Sequence, residues 1–156
     1  MAYDQLGIYN EALLLAGERS LTSLSETHET RYRLDEEYTN SEAVKFCLEL
    51  AQPAFARKTS RSNAPAAGTT MAWSHSYPTN YVSLIGIYTD AGLSKPVSRY
   101  VIEGGKIICD HSDIYIRFTS SEYAISAWDI SFAKVVASFL ALKIATRISK
   151  EEYAKL

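Results

Sequence analysis

Three histidines, His28, His75 and His111, are the side chains in this chain best suited to moving a proton or holding a metal near neutral pH. Their settings differ. His28 lies among Glu26, Glu29 and Arg31 on what reads as a solvated helix face, and His75 sits inside the aromatic stretch Trp73-Ser74-His75-Ser76-Tyr77. His111 belongs to the turn Asp110-His111-Ser112-Asp113. A turn histidine flanked by aspartates can hold a cation weakly, but no HExxH, HxH or Cys/His spacing accompanies it, so no metal is expected. The runs Asp35-Glu36-Glu37 and Glu151-Glu152 supply carboxylates. Neighbouring positions on a helix point in different directions, so such runs solvate a helix more readily than they form an acid/base pair. The sequence has no GxSxG elbow, and Gly104-Gly105 lacks the GxxxxGK[ST] frame of a phosphate loop. No catalytic residue and no cofactor is therefore expected, and the chain does not read as an enzyme.

Other residue types point to contact surfaces. Eleven tyrosines and two tryptophans are present, and Trp73, Tyr77, Tyr81, Tyr88, Tyr100, Tyr115 and Tyr123 fall in or near one strand-rich stretch. Aromatic enrichment of this kind marks protein interfaces, although the core of a small sheet uses such rings too. Arg57, Lys58 and Arg61 form the one basic cluster, without an RNA-binding motif or a DNA-reading helix beside it. Cys47 and Cys109 lie in apolar stretches outside any CxxC or Cys/His pattern, which predicts two buried, reduced thiols in a cytosolic protein.

The elements that position these residues follow from periodicity and caps. Asp4 can cap a first helix running to Ala16, with Leu6, Tyr9, Leu13 and Ala16 at helical spacing and Gly17 as its stop. Ser23 with Glu26 has capping-box form and predicts a long second helix to about Ala51, ended by Pro53. Residues 57–70 lack an apolar period and predict a loop or extended arm. Short β-branched and aromatic runs follow at Tyr81–Tyr88, Pro96–Ile102, Lys106–Cys109 and Ile114–Thr119. The turns at Gly92, Gly104-Gly105 and residues 110–113 suggest an antiparallel meander. Helix returns at Asp129, where Phe132, Val135, Val136, Phe139 and Leu140 make a wide apolar stripe, and Ser149 with Glu152 predicts a further short helix. A helix of a single turn requires a partner, or a longer natural chain.

The expected fold is thus α+β: a helical bundle of two N-terminal and one or two C-terminal helices with a small antiparallel β-meander inserted. The expected layout is one domain, helical over 1–56 and 121–156, with the arm at 57–70 and the meander at 71–120. At 156 residues and 47% hydrophobic composition such a domain can bury a full core. Sixteen basic against 18 acidic residues exclude the strong charge excess of a general nucleic-acid binder. The first 60 residues carry 6 basic and 10 acidic groups, the remainder 10 and 8, a polarity suited to orienting subunits. No run of 18 apolar residues predicts a membrane span, and the first residues lack a secretion signal's layout.

Read end to end, several strings in order resemble the adaptor, or head-to-tail connector, proteins of tailed bacteriophages, in particular the tail tubular protein A type of podoviruses. They are Tyr9-Asn10-Glu11-Ala12-Leu13-Leu14-Leu15-Ala16-Gly17-Glu18-Arg19 with Leu24 and Glu26; Leu48 and then Phe55-Ala56-Arg57-Lys58; Tyr77-Pro78-Thr79-Asn80-Tyr81; Glu103-Gly104-Gly105-Lys106-Ile107; Ile114-Tyr115-Ile116-Arg117-Phe118; and Trp128 with the alanine-rich closing helix. Pro53 stands where such proteins often carry an aromatic residue, and the closing helix is shorter than theirs.

The resemblance implies a structural virion protein of the neck or tail region, assembled in the host cytoplasm. Its copies would form a ring, a dodecamer in this family, beneath the portal protein. The ring would extend the channel through which DNA passes non-specifically and would attach tail nozzle or tail-tube proteins. On this reading Trp73, Tyr77, Tyr88 and Tyr115 are interface aromatics, Arg57, Lys58 and Arg61 an intersubunit arm, and the segment with Ser149 and Tyr153 the portal contact. Two other readings stand beside it: a virion-associated cell-wall hydrolase using Glu26 or Glu29 with Asp113, and a tail-terminator or head-completion protein of a long-tailed phage.

Overall fold

Asp4 opens the first helix as the sequence predicts: its side chain accepts a hydrogen bond from the Gly7 amide, and α1 runs Gln5–Ala16. Gly17 closes it in the left-handed conformation (φ 77°), where a Cβ would be strained, and the Gly17 amide returns to the Leu14 carbonyl. The computed structural model describes residues 3–40, 42–63 and 65–154, with side chains of the last helix described as far as residue 145. The chain divides into two compact units, one of Met1–Ala51 with Tyr123–Leu156, the other Gln52–Glu122.

The first unit is helical. The predicted long second helix is instead α2 (Glu29–Asp35), a π-helical turn (Glu36–Asn40) and α3 (Ala43–Ala51). The reason lies in Glu26. Its carboxylate does not cap a helix from Ser23 but accepts from the Thr22 amide and hydroxyl and pairs with Arg19 at 2.6 Å. The cap moves to His28, whose Nδ1 accepts from the Thr30 amide. Glu42 then adopts φ 49°, outside the helical region, and separates the π turn from α3. α4 spans Ile130–Ala154 without interruption, so Ser149 and Glu152 open no new helix. Without a break in the backbone there are no free amides for them to cap.

α1 packs along α4. Ile8, Tyr9, Ala12 and Leu13 meet a buried stripe of Phe132, Ala133, Val136, Ala137, Leu140 and Ile144, spaced at three and four residues. The alanines allow close approach of the helices, while Cys47 and Leu48 of α3 are also buried. Tyr9 is fully buried, yet its hydroxyl donates to Asp35 at 2.8 Å and accepts from Gln5 at 3.0 Å, so the polar atom is satisfied. Burial and the Asp35 carboxylate push the Tyr9 hydroxyl well above the usual tyrosine range.

The second unit corrects the expected fold class. In place of one small meander it holds two antiparallel sheets, of three and four strands. The strands are β1 (Arg57–Ser62), β2 (Ala66–Ala67), β3 (Trp73–Ser76), β4 (Tyr81–Tyr88), β5 (Val101–Glu103), β6 (Lys106–Cys109) and β7 (Ile114–Ser120). The three-stranded sheet has the order β1-β7-β4 and the four-stranded sheet β2-β3-β6-β5, so sequence neighbours such as β6 and β7 lie in different sheets. A meander would have kept them adjacent.

The predicted arm at 57–70 is the other correction. Arg57–Ser62 pairs along its whole length with β7, Arg57 opposite Thr119 and Ser62 opposite Ile114. An exposed edge strand is recruited by the partner's backbone groups rather than by its own apolar pattern, and charged side chains are typical of such edges. Ile87, Val97, Ile107, Cys109, Ile114, Ile116 and Phe118 form the core of this unit, with Tyr77, Tyr81, Leu84 and Tyr100 packed against it.

Both cysteines are free and buried. Burial pushes the Cys47 thiol up to about 11 and raises Cys109 as well. A thiolate reagent such as DTNB at pH 8 should therefore find neither thiol in the native chain and both, two equivalents, after unfolding in urea. Reaction of either in the native state would contradict this packing.

Candidate interaction surfaces

Residues directly opposite one another in an antiparallel pair share a face of the sheet. On β7, Ile114, Ile116 and Phe118 face the core, so Tyr115, Arg117 and Thr119 lie on the other face, where Tyr115 and Arg117 are half-buried and Thr119 is fully buried. The register places Arg57, Thr59 and Arg61 of β1 on that outer face, opposite Thr119, Arg117 and Tyr115. Ser83, Gly86 and Tyr88 of β4 join them, opposite the same three residues. Three guanidinium groups thus occupy one sheet face, staggered by two residues, or about 7 Å, along the strands. Tyr88 and Tyr115 lie at one end. Gly86 leaves room for the Tyr88 ring, since a Cβ there would stand 3.3 Å from it.

These arginines differ in what they already bind. Arg61 makes a two-pronged bond to Asp113, at 2.9 and 2.8 Å, and its guanidinium lies 5.8 Å from the Tyr115 ring centre. Arg61 in turn holds the Asp113 carboxyl below the usual carboxylate range. Arg57 donates to the Gln52 carbonyl. Arg117 is half-buried and, among the described residues, its side chain makes no hydrogen bond or ion pair.

The helical unit carries a different surface. The apolar stripe of α4 is wider than the strip its neighbours cover: Val135 is 39% exposed and Leu142 66%, on the same helix face as the half-buried Phe139. Phe139 meets Phe46 of α3 with ring centres 5.1 Å apart, and Phe46 and Leu50 are themselves 49% and 73% exposed. A groove of about 360 Å³ lies against Phe46, Glu49 and Leu50. Lys143 rims the patch, its Nζ 5.4 Å from the Phe139 ring centre. The stripe was legible in the sequence; which part of it would stay uncovered was not.

The sequence-predicted interface residues are thereby sorted. Arg57, Arg61, Tyr88 and Tyr115 come together on one face, joined by Arg117, which residue spacing alone did not single out. Lys58 is on the opposite face and bonds both oxygens of Glu122 at 2.9 Å. Tyr77 stacks on Tyr81 at 4.0 Å against the core, and Trp73 stands on β3, 37% exposed. Ser149 and Tyr153 lie within α4, and their side chains fall outside the described residues.

The histidines and carboxylates are mostly engaged. His75 is completely buried; its Nε2 faces the His111 carbonyl at 2.8 Å and its Nδ1 meets the Ser62 hydroxyl at 2.7 Å. A carbonyl can only accept, so Nε2 carries the proton and, in the neutral ring, Ser62 donates to Nδ1. This is a serine–histidine pair in composition, but it is enclosed on the core side of the sheet and bridges β1 to β3. Of the carboxylates suited to hydrolysis, Glu29 pairs with Arg33 at 2.7 Å, Asp113 with Arg61, and Glu26 is held at about 2 by the Thr22 amide and Arg19. A general acid needs its carboxyl raised, not lowered. Beside His111 a cleft of about 380 Å³ is lined in part by Arg99, Asp110 and Thr89. Among the described residues, no group of three or more His, Cys, Asp or Glu could hold a metal, and no helix is long and apolar enough to cross a membrane.

No protein-family model matches the chain, and no curated protein shows significant similarity to it.

Proposed function

We propose that this chain is a structural adaptor subunit of a tailed-phage virion. On this reading its copies form a ring beneath the portal, extend the DNA channel and offer an attachment surface to tail components. The observation that carries the reading is the presence of two unlike adhesive surfaces on one chain. One is the apolar ridge of Phe46, Leu50, Val135, Phe139 and Leu142, and the other the arginine–tyrosine face of the β1-β7-β4 sheet. Two unlike surfaces that fit each other associate head to tail, and such a contact closes into a ring where its rotation divides the full turn. The ordered strings that resemble connector proteins give the ring its setting. The ion pair of Glu29 with Arg33 and the lowered carboxyls of Glu26 and Asp113 weigh against the hydrolase alternative.

The test is the mass of the purified chain, alone and mixed with the portal ring of the phage that encodes it. Ring-sized multiples of 17.4 kDa in either condition support the reading. A chain that stays monomeric in both overturns it, as would clearance of cell-wall suspensions by the purified chain.

A further inference from the structure

We propose that the two surfaces are each other's partners: the Tyr88–Tyr115–Arg117 face of one copy seats on the Phe46–Glu49–Leu50 groove of the next, with Arg117 pairing with Glu49. The proposal rests on the ring reading and gives it a contact. The side chains of Arg117 and Glu49 are both, among the described residues, without a hydrogen bond or ion pair, one a cation on a sheet face, the other an anion in an apolar groove. On the same sheet Arg61 is spent on Asp113 and, at the start of α3, Glu42 on Lys45, while Lys143 lies over the Phe139 ring beside Phe46.

The surroundings match as well as the charges. Phe46 and Leu50 are 49% and 73% exposed on one surface, and the half-buried rings of Tyr88 and Tyr115 lie two residues along the strands from the cation on the other. Arginine and tyrosine on one side, seated in an aromatic and aliphatic groove, is the composition that dominates interface energetics. Residues 52–122 hold 7 basic and 5 acidic groups; the rest of the chain holds 9 and 13. The β unit of one copy is thus drawn to the helical unit of another, and two sheet faces repel. An ion pair enclosed by apolar contacts fixes register, which a ring needs at every joint.

The test uses the full chain with Arg117→Glu, Glu49→Arg, and both together, assembled alone and on the portal ring and followed by sedimentation velocity. Far-UV circular dichroism confirms that each variant folds. Each single reversal should weaken assembly by roughly 30-fold or more, the effect of opposing like charges in an enclosed contact. The double reversal restores the pair in swapped polarity and should recover most of the loss. A ring that ignores both single reversals, or a loss that the double variant does not recover, overturns this contact and leaves the ring reading standing. A wild-type chain that is monomeric in both conditions overturns the ring reading and the contact with it.

Discussion

Phe118→Ala should lower the stability of the β unit by about 3–5 kcal/mol, the range for truncating an aromatic ring in a packed core. Phe118 is 1% exposed and belongs to the cluster of Ile87, Ile107, Ile114 and Ile116. It lies on the central strand of its sheet, opposite Lys58 on one side and Leu84 on the other, with its ring centre 6.0 Å from that of Tyr81. Rigid strand pairing on both sides prevents the backbone from closing over the space, so most of the cavity would remain. Trp73 and Trp128 are the chain's two tryptophans, one in each unit, so Trp128→Phe leaves Trp73 as the sole reporter of the β unit. Urea unfolding followed by Trp73 emission, with and without Phe118→Ala, measures the loss. A change below about 1 kcal/mol, the scale of a surface substitution, would remove Phe118 from the core.

The same strand shows how far the sequence could be read. The alternation of Ile114, Ile116 and Phe118 with Tyr115, Arg117 and Thr119 gives both the strand and its buried face, because a period of two has one physical meaning. β4 and β6 were legible as short β-branched and aromatic runs bounded by turn residues, without an alternating burial pattern. Arg57–Ser62 was not, since Arg-Lys-Thr-Ser-Arg-Ser carries no apolar pattern; its strand conformation comes from β7's free edge, a tertiary cause invisible in the local sequence. Pairing order was beyond reach too. Turn residues show where a chain reverses but not which sheet the next strand joins, so one meander was expected where β6 and β7 separate into two sheets.

The helices divide in the same way. Asp4 and Gly17 bound α1 because each has one good use at a helix end. Ser23 and Glu26 fit a capping box, but Arg19 and the Thr22 amide compete for the same carboxylate and win it. The arginine–tyrosine face shows the consequence for function. Arg57 and Arg61 stood out as a cluster in the sequence, whereas Arg117, some 60 residues on, joins them only through the β1–β7 register.

The register also explains why His75→Ala should be costly, by about 3 kcal/mol, although histidine is a polar residue. The side chain has no exposed surface and joins three segments: β3, which carries it, β1 through Ser62, and the β6–β7 turn through the His111 carbonyl. Removing the ring opens a cavity and takes the histidine partner from the Ser62 hydroxyl and the His111 carbonyl, the latter keeping only the weak Cys109 thiol donor at 3.5 Å, and both losses are named routes to destabilisation. The two terms separate experimentally. His75→Phe keeps most of the volume and loses both hydrogen bonds, so its cost reports the polar part. Adding Ser62→Ala to His75→Phe removes one stranded partner and should recover part of that cost, because an apolar pair is tolerated where a lone hydroxyl is not. The double-mutant cycle between Ser62 and His75, read by the Trp73 transition, should give a coupling of about 1 kcal/mol. Zero coupling would mean that the 2.7 Å contact adds nothing to holding the edge strand, and that the β1–β7 backbone ladder alone fixes the spacing of Arg57, Arg61 and Arg117.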